Sequence, residues 1–240
     1  MSGHSKWANI KHKKGKQDEI RGKIFQKLAK EIYVAAKGGD PDPANNPSLR
    51  MVIEKAKGQN MPNERIQKAI DKAHGSSDGE NYETVIYEGY GSGGIAIMVE
   101  CLTDNKNRTA SQVREAFKKK GGNLGTTGSV SYLFQRMGVI AMAKNFDEDE
   151  VMMTALDNGA DDFAVNEDAY EIYTAPEDFI KVKEGLEALG VTEFLVSEVT
   201  LVPQSKSKVD KETYEKVMGL VEWLEDLDDV QSVYYNLEDE

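Results

Sequence analysis

Apolar residues in the first third of the chain recur at the 3.6-residue period of amphipathic helices. A first helix is predicted at residues 17–37. Its apolar face is formed by Ile20, Ile24, Leu28 and Ile32. Asn46 and Pro47 form a favourable N-cap and first-turn pair for a second helix, and a third is predicted at residues 62–75. Three short helices with apolar faces are expected to share one small core.

From residue 82 onward the period falls to two residues, which is typical of β-strands. Residues 82–90 and 95–102 are predicted to form a hairpin, whose glycine-rich turn also matches the dinucleotide pattern GxGxxG. Because these glycines join two strands and do not lead from a strand into a helix, the hairpin turn is the better interpretation.

Residues 139–202 are predicted to alternate as strand, helix, strand, strand, helix and strand. This βαββαβ order is that of a ferredoxin-like unit, which contains one antiparallel sheet. A final helix at residues 211–227 and a strand at residues 230–237 have no partner in that unit. We therefore expect them to pack on the sheet of residues 82–134.

The predicted fold class is α+β, with three domains. They are an N-terminal three-helix domain at residues 1–78, a discontinuous α+β domain at residues 79–136 and 205–240, and an inserted ferredoxin-like βαββαβ domain at residues 137–204. A chain of 240 residues is long enough to hold three modest hydrophobic cores.

Charge divides the chain at the end of the third predicted helix. Residues 1–75 contain 16 Lys and Arg against 8 Asp and Glu, whereas residues 76–240 contain 14 against 34. The net charge of −12 therefore combines a helical part at +8 with a remainder at −20. Such a division indicates a polyanionic partner for the basic part, and nucleic acid is the expected polyanion.

The basic residues of the helical part form an N-terminal arm and a stripe along the first helix. In the arm, positive side chains surround a tryptophan; ammonium groups neutralise phosphates, and an indole stacks on an unpaired base or a sugar. The stripe recurs at helical spacing opposite the apolar face. The predicted nucleic-acid contacts of the arm are Lys6, Trp7, Lys11, His12, Lys13, Lys14 and Lys16. Those of the stripe are Lys23, Lys27 and Lys30.

A second predicted contact site contains Lys106 and Arg108, in an Asn-rich loop after the hairpin. The helix that follows this loop is predicted to begin at Thr109, which forms a capping box with Gln112. Other interpretations of the basic residues stay open. A lysine stripe is often a solvated helix face, and Trp7 can instead pack the arm against its own domain.

The sequence contains no pattern that predicts a catalytic, metal or cofactor site. Its histidines, His4, His12 and His74, lie in the basic part without a cysteine pair to complete a zinc site. Cys101 alternates inward on a predicted strand, as a small core residue does. There is no P-loop and no GxSxG nucleophile motif. We therefore expect a protein that is not an enzyme and uses no cofactor and no small-molecule substrate.

The cellular compartment of the protein can be predicted from its cysteine content and from the N-terminal sequence. A single cysteine excludes an intramolecular disulfide and fits a reducing compartment. The chain lacks the run of about 18 apolar residues that a membrane helix needs, and its lysine-rich start lacks the apolar core of a signal peptide. The expected location is the cytoplasm, without a membrane partner.

Several segments of the chain together carry a family resemblance. They are GHSKWANIKHKK at residues 3–14, RGKIF at residues 21–25, NP with LR at residues 46–50, YEGYG at residues 87–91, LTDN with NRT at residues 102–109, and GGNLG with GSV at residues 121–130. These segments resemble the YebC/PmpR family, whose members are called probable transcriptional regulators. The resemblance runs essentially from end to end, and its N-terminal block is the most specific part.

The resemblance implies three domains, a cytoplasmic location and no enzymatic activity. Members are described as DNA-binding regulators of transcription, mitochondrial relatives as translational activators, and some bacterial ones as ribosome-associated factors that relieve stalling at proline runs. For this chain, the resemblance implies nucleic-acid contacts first in the arm and the stripe, and secondarily at Lys106 and Arg108.

Two functions therefore remain open. A DNA-binding transcriptional regulator requires a helix that reads base edges, and no helix rich in Arg, Asn and Gln stands out. An RNA- or ribosome-associated translation factor would place the arm on rRNA or tRNA phosphates and keep the acidic remainder away from them. A protein-interaction module is a third alternative, and it predicts that replacing the arm lysines with glutamate leaves function intact.

Overall fold

The computed structural model describes residues 17–75 and 81–238, with side chains from residue 21 onward. Its helices are α1 (Gln17–Lys37), α2 (Pro47–Gly58), α3 (Asn63–Gly75), α4 (Lys106–Lys119), α5 (Glu148–Asp157), α6 (Phe179–Ala188) and α7 (Lys211–Asp226). Its strands are β1 (Glu83–Tyr90), β2 (Ala96–Thr103), β3 (Asn123–Leu124), β4 (Phe134–Ala143), β5 (Ala160–Val165), β6 (Ala169–Thr174), β7 (Val196–Pro203) and β8 (Val230–Tyr235). The fold is α+β, as predicted.

The first three helices pack around one apolar core, as their periodicity predicted. α1 contacts both α2 and α3. Asn46 is the N-cap of α2: its side chain accepts a hydrogen bond from the Leu49 N–H, and Pro47 is the first helical residue. Buried apolar side chains of this core include Leu28, Ile32, Tyr33, Leu49, Ile53, Ile66 and Ile70.

The first antiparallel sheet has the strand order β3-β1-β2-β8. α4 and α7 cover one face of it, where Phe117 and Leu220 pack against Ile97. In this sheet β8 pairs with β2, with Val99 opposite Val233. The prediction that the last helix and strand return to the first sheet is thereby confirmed.

The second antiparallel sheet has the strand order β5-β6-β4-β7. α5 and α6 pack on one face, against Ile140, Met142 and Ile172. This is the predicted βαββαβ unit, in which β6 lies between the two strands that α5 connects. The exact domain boundaries at residues 1–78, 79–136 with 205–240, and 137–204 stay a proposal. β4 begins at Phe134, just before the second of those junctions.

The turn between β1 and β2 is a hairpin connection, as predicted. It contains one 3₁₀ turn at Ser92–Gly94, and Tyr90 and Ala96 lie opposite each other in the pairing register. Gly93 has a φ of 70°, and a Cβ at this position would lie 2.7 Å from a methyl group of Thr213. Glycine is therefore needed there for a conformational and a packing reason.

The start of α4 differs from the prediction. Asn105 is the N-cap, because its side chain accepts a hydrogen bond from the Arg108 N–H. Thr109, the predicted cap, is buried inside the helix. Lys106 and Arg108 therefore lie in the first helical turn and not in a loop. Asn and Thr are both good cap residues, so the local sequence allowed either start.

Over residues 17–75 and 81–238, no helix is long and apolar enough to cross a membrane. Within the same ranges, no group of three or more His, Cys, Asp and Glu side chains is arranged to hold a metal ion.

Candidate nucleic-acid interface

The predicted contact residues fall into three groups. The arm residues Lys6, Trp7, Lys11, His12, Lys13, Lys14 and Lys16 lie outside the described residues. The stripe residues Lys23, Lys27 and Lys30 lie on α1, and Lys106 and Arg108 lie in the first turn of α4. The structure brings the stripe and Arg108 to one place, which is the connection between α7 and β8.

This connection is the segment Glu225-Asp226-Leu227-Asp228-Asp229, which we name the acidic turn. Lys23 forms an ion pair with the Asp226 carboxylate. The Lys27 Nζ donates a hydrogen bond to the Glu225 carbonyl at 2.6 Å. The Lys30 Nζ donates to the Asp228 carbonyl at 3.0 Å and lies 3.5 Å from the Asp229 carboxylate.

The acidic turn accepts these lysines because it contains the C-terminal end of a helix. The last carbonyl groups of α7 have no hydrogen-bond partner inside the helix, and the helix dipole places partial negative charge on them. α7 has no basic residue in its last turn. The lysines of α1 supply the missing positive charge from another element of the fold.

Lys27 and Lys30, two of the lysines that contact the acidic turn, are partly buried. Burial lowers the pKa of Lys27 below its ordinary value, although the negative charge of Glu225 acts in the opposite direction. The Lys30 side chain is 24% exposed, whereas the Lys23 side chain is 48% exposed. The acidic turn therefore partly covers Lys27 and Lys30, whereas Lys23 remains exposed. Periodicity predicts which residues share a helix face, but it does not predict what packs on that face.

Arg108 is held by the same turn. Its Nη2 lies 2.7 Å from Asp229 and 2.7 Å from Asp104, and its Nε donates to Asp229 at 3.1 Å. The Thr109 hydroxyl donates to the same Asp229 oxygen at 2.9 Å. Hydrogen bonds to Asp229 and Asp104 raise the pKa of Arg108, so the guanidinium stays charged at every physiological pH. The guanidinium therefore holds the acidic turn against α4.

Lys106 lies apart from this group. It forms an ion pair with Glu83 at the start of β1, and both side chains are more than half exposed. An exposed pair of this kind leaves the ammonium group accessible to a stronger anion.

A cleft of about 350 Å³ lies between the helical region and the first sheet. Four lysines, Lys23, Lys27, Lys30 and Lys72, line it together with Tyr33, Tyr82 and Asp228. The two tyrosine rings meet edge to face, with centroids 6.0 Å apart. The Lys30 ammonium lies 5.6 Å from the centre of the Tyr82 ring, and the Lys72 ammonium lies at the same distance from Tyr33. Ammonium groups beside aromatic rings are the chemistry that recognises a phosphate linked to a base.

Sequence reasoning did not select Tyr33, Lys72 or Tyr82. Tyr33 follows the apolar stripe of α1, and Lys72 lies in the predicted third helix, where a lysine is ordinarily a solvent-exposed side chain. Tyr82 begins the first predicted strand. Only the packing of α3 beside α1, and of the chain after residue 80 beside both helices, brings these three side chains to the cleft.

Comparison with known proteins places the chain in a family. Residues 5–76 match the model described as the TACO1/YebC protein N-terminal domain. Residues 82–237 match the model described as the TACO1/YebC second and third domain.

Full-length relatives agree with that assignment. The chain is 56% identical over 242 residues to a "Probable transcriptional regulatory protein" of Geobacillus sp. strain WCH70, covering 100% of this chain and 98% of the relative. It is 54% identical to the "Probable transcriptional regulatory protein YrbC" of Bacillus subtilis strain 168, covering 98% and 99%. The crystal structure of a conserved hypothetical protein, Aq1575 from Aquifex aeolicus, superposes with a TM-score of 0.85 at 50% identity and covers 98% of each chain. The chain belongs to the TACO1/YebC family.

Proposed function

We propose that this protein is a cytoplasmic nucleic-acid-binding regulatory protein that controls transcription by binding DNA. The names of its relatives support a regulatory role. The observation that carries nucleic-acid binding is the concentration of positive charge on the helical region, at +8, beside a remainder at −20. A polyanion is attracted to the first part and repelled by the second, so it approaches in one orientation.

The helical region also offers a surface on which a duplex can lie. α2 and α3 are joined by residues 59–62, a connection of the length found in helix-turn-helix units. α3 exposes Asn63 and Gln67 one turn apart on the same side, and it also exposes Arg65, whose guanidinium lies 5.4 Å from the centre of the Phe25 ring. Side chains of these types read base edges in the major groove, and Lys68 and Lys72 would neutralise flanking phosphates.

We propose that the residues predicted from the sequence make the phosphate and base contacts. They are Lys6, Trp7, Lys11, His12, Lys13, Lys14, Lys16, Lys23, Lys27, Lys30, Lys106 and Arg108. To these we add Lys72 and Tyr82 from the cleft, where the Tyr82 ring packs edge to face on the buried Tyr33.

A second candidate function is a ribosome- or RNA-associated translation factor that relieves stalls at proline-rich stretches. The observation that favours it is the cleft, because about 350 Å³ is the size of a small-ligand pocket and admits a single unpaired nucleotide but no duplex. Unpaired bases that stack on aromatic rings are typical of RNA recognition.

The first experiment measures binding by fluorescence anisotropy, with labelled duplex DNA and labelled single-stranded RNA, over a series of salt concentrations. The variant Lys11→Glu, Lys13→Glu, Lys14→Glu, Lys16→Glu reverses the charge of the arm. Its matched control, Lys144→Glu, Lys181→Glu, Lys208→Glu, Lys211→Glu, makes the same change of net charge at exposed positions outside the helical region.

We expect the arm variant to lose at least about tenfold in affinity and to show a shallower salt dependence, because fewer phosphates are neutralised. The control should bind almost as tightly as the wild type. Equal losses in both variants, or a wild-type affinity that does not change with salt, would refute nucleic-acid binding as the function of this region.

The second experiment separates DNA from RNA. The tagged protein is crosslinked in cells, and both the DNA and the RNA that it retains are sequenced, with the arm variant as control. Enrichment at discrete promoters that the variant loses supports the transcriptional regulator. Enrichment on rRNA or tRNA without promoter peaks supports the translation factor and overturns the primary proposal.

A further inference from the structure

The acidic turn lies on the lysine stripe of α1 and occupies the groups that a phosphate backbone would use. Its acceptors for Lys27 and Lys30 are main-chain carbonyls at 2.6 and 3.0 Å, and its carboxylates Asp226 and Asp229 face Lys23 and Lys30. Oxygen atoms with negative charge are also what nucleic acid presents to a lysine. The acidic turn and a phosphate strand therefore compete for the same donors.

Resting on the proposed function, we infer that the acidic turn is an intramolecular competitor that nucleic acid displaces from the stripe of α1. In the closed arrangement seen here the turn covers Lys27 and Lys30. In the nucleic-acid-bound arrangement the phosphates take these ammonium groups, and the helical region moves away from the turn.

Rigidity of the turn decides which part moves. Asp229 is 4% exposed and accepts hydrogen bonds from Arg108, Thr103 and Thr109, so the turn is fixed to the first sheet and to α4. By contrast, the Lys23 and Asp226 side chains are 48% and 72% exposed. An exposed ion pair contributes little stability and is screened by salt, so the contact of Asp226 with Lys23 opens more readily than the turn unfolds.

The negative charges of the acidic turn let it compete with nucleic-acid phosphates for Lys27. The carboxylates of Glu225, Asp228 and Asp226 all attract the Lys27 ammonium. A nucleic acid that takes this lysine must overcome that attraction, and a segment with low phosphate density cannot. The turn therefore raises the charge density that a partner needs, which favours structured or duplex polyanions over isolated phosphate groups.

The test removes three of the four negative charges of the turn. In the variant Glu225→Gln, Asp226→Asn, Asp228→Asn the hydrogen bonds of Asp229 are left intact. The matched control Glu177→Gln, Glu184→Gln, Glu193→Gln makes the same change of three charges at exposed positions around α6. We expect the turn variant to bind duplex DNA about tenfold more tightly than the wild type at low salt, and the control to bind less than about twofold more tightly. An equal gain in both variants, or no gain in either, overturns the inference.

A distance measurement separates displacement from simple repulsion. His74→Cys in the last turn of α3 and Ser111→Cys on α4 are exposed positions for spin labels, and neither is a proposed nucleic-acid contact. The native Cys101 is buried, and burial raises the pKa of its thiol to about 12, so it does not compete for the label. We expect the distance between the labels to lengthen when duplex DNA is added to the labelled protein, and also in the turn variant without DNA. An unchanged distance in both cases would show that the turn is not displaced.

The outcome also distinguishes this inference from the proposed function. If the wild type binds nucleic acid with a steep salt dependence and the turn variant binds no better than the control, the inference fails and the proposed function stands. If neither the wild type nor the turn variant binds duplex DNA or RNA, the proposed function fails and the inference fails with it.

Discussion

At the scale of single residues, Asp229 links the acidic turn to α1 through Lys30, to β2 through Thr103 and to α4 through Arg108. Burial by itself would raise its pKa, but hydrogen bonds from Arg108 and Thr109 outweigh burial and hold the pKa below its usual range. The carboxylate therefore stays charged at neutral pH and fixes the acidic turn. Neither its burial nor its partners could be predicted from the sequence, where it is one of four acidic residues in a row of five.

The variant Asp229→Asn is expected to lower the free energy of unfolding by about 1.5 to 3 kcal/mol, because a buried charged acceptor loses its hydrogen bonds from Arg108, Thr103 and Thr109. The control Asp104→Asn removes the other carboxylate on Arg108, which is 54% exposed, and should cost no more than about 1 kcal/mol. Urea denaturation measures both. Similar losses in the two variants would contradict the structural role given to Asp229.

Glu88 is a second buried carboxylate with a structural task. It is 4% exposed and accepts hydrogen bonds at 2.8 Å from the backbone N–H groups of Gly128, Val130 and Ser131. Burial alone would raise the pKa of Glu88, but these hydrogen bonds outweigh it and lower the pKa. A depressed pKa in the folded state means that the carboxylate adds stability above its unfolded pKa of about 4.3, and that this stability is lost as the pH falls through the folded pKa.

Glu88→Gln is therefore expected to lose about 1.5 to 3 kcal/mol at pH 7, since an amide NH₂ cannot accept the backbone N–H groups. The difference from the wild type should be constant above about pH 5 and should shrink as the pH approaches 3. The exposed Glu83→Gln in the same strand is the control. Chemical denaturation at a series of pH values tests this, and a deficit that does not depend on pH would count against it.

At the scale of secondary-structure elements, local sequence decided most of the fold. The N-cap of α2 is an example, because Asn46 and Pro47 make the same contacts in the structure that their order predicts. The Asn46 side chain does more than the sequence indicates. Its amide donates to the carbonyl groups of Ala35 and Asp40, both at 2.9 Å, and so joins the end of α1 to the start of α2.

Asn46→Ala is expected to destabilise the protein by about 1 to 2 kcal/mol, because α2 loses its cap and two carbonyl groups near the end of α1 lose a donor. Asn45→Ala, at the exposed neighbouring position, should change the stability by less than about 0.5 kcal/mol. Thermal unfolding followed by far-UV circular dichroism compares the two variants. Equal melting temperatures for both would show that the cap contributes nothing.

At the scale of the whole molecule, a charged cluster lies where the helical region meets both sheets. The Lys55 ammonium on α2 lies 3.0 Å from the Glu31 carboxylate on α1, and it is attracted by Glu198 on β7 and Glu100 on β2. Burial would lower the pKa of Lys55, but these three carboxylates together raise it. Burial also raises the pKa of Glu31, against the attraction of Lys55. Among the described residues, the Lys55 ammonium therefore attracts carboxylates from α1, β2 and β7 at this junction.

Lys55→Met is expected to cost about 3 kcal/mol at pH 7, because the carboxylates around it lose their counter-charge. Because the pKa of Lys55 is raised, titration of the lysine itself weakens its contribution only above the unfolded pKa of about 10.4, so any change at lower pH comes from its carboxylate partners. The deficit of the variant should shrink between pH 7 and pH 4, as the carboxylates become protonated.

Glu31→Gln is the control for that substitution, since it leaves Lys55 with Glu198 and Glu100 and removes one of the competing negative charges. Its cost should be less than half that of Lys55→Met. Urea denaturation at pH 7 and pH 4 compares them, and a larger loss for Glu31→Gln would refute the view that Lys55 balances the cluster.

The sequence by itself determined the helices and strands, the return of the last strand to the first sheet, and the division of charge between the helical region and the remainder. The elements and the division of charge follow from local signals, namely periodicity, capping residues and composition, which act between neighbours in the chain. The return of the last strand followed instead by elimination, because the βαββαβ unit left that strand without a partner. Only the tertiary structure decided which charges meet. Lys23 and Asp226 are 203 positions apart, and Arg108 and Asp229 are 121 apart. No local signal relates residues so far apart, because a charged side chain pairs with whichever opposite charge the packing of apolar cores brings near it.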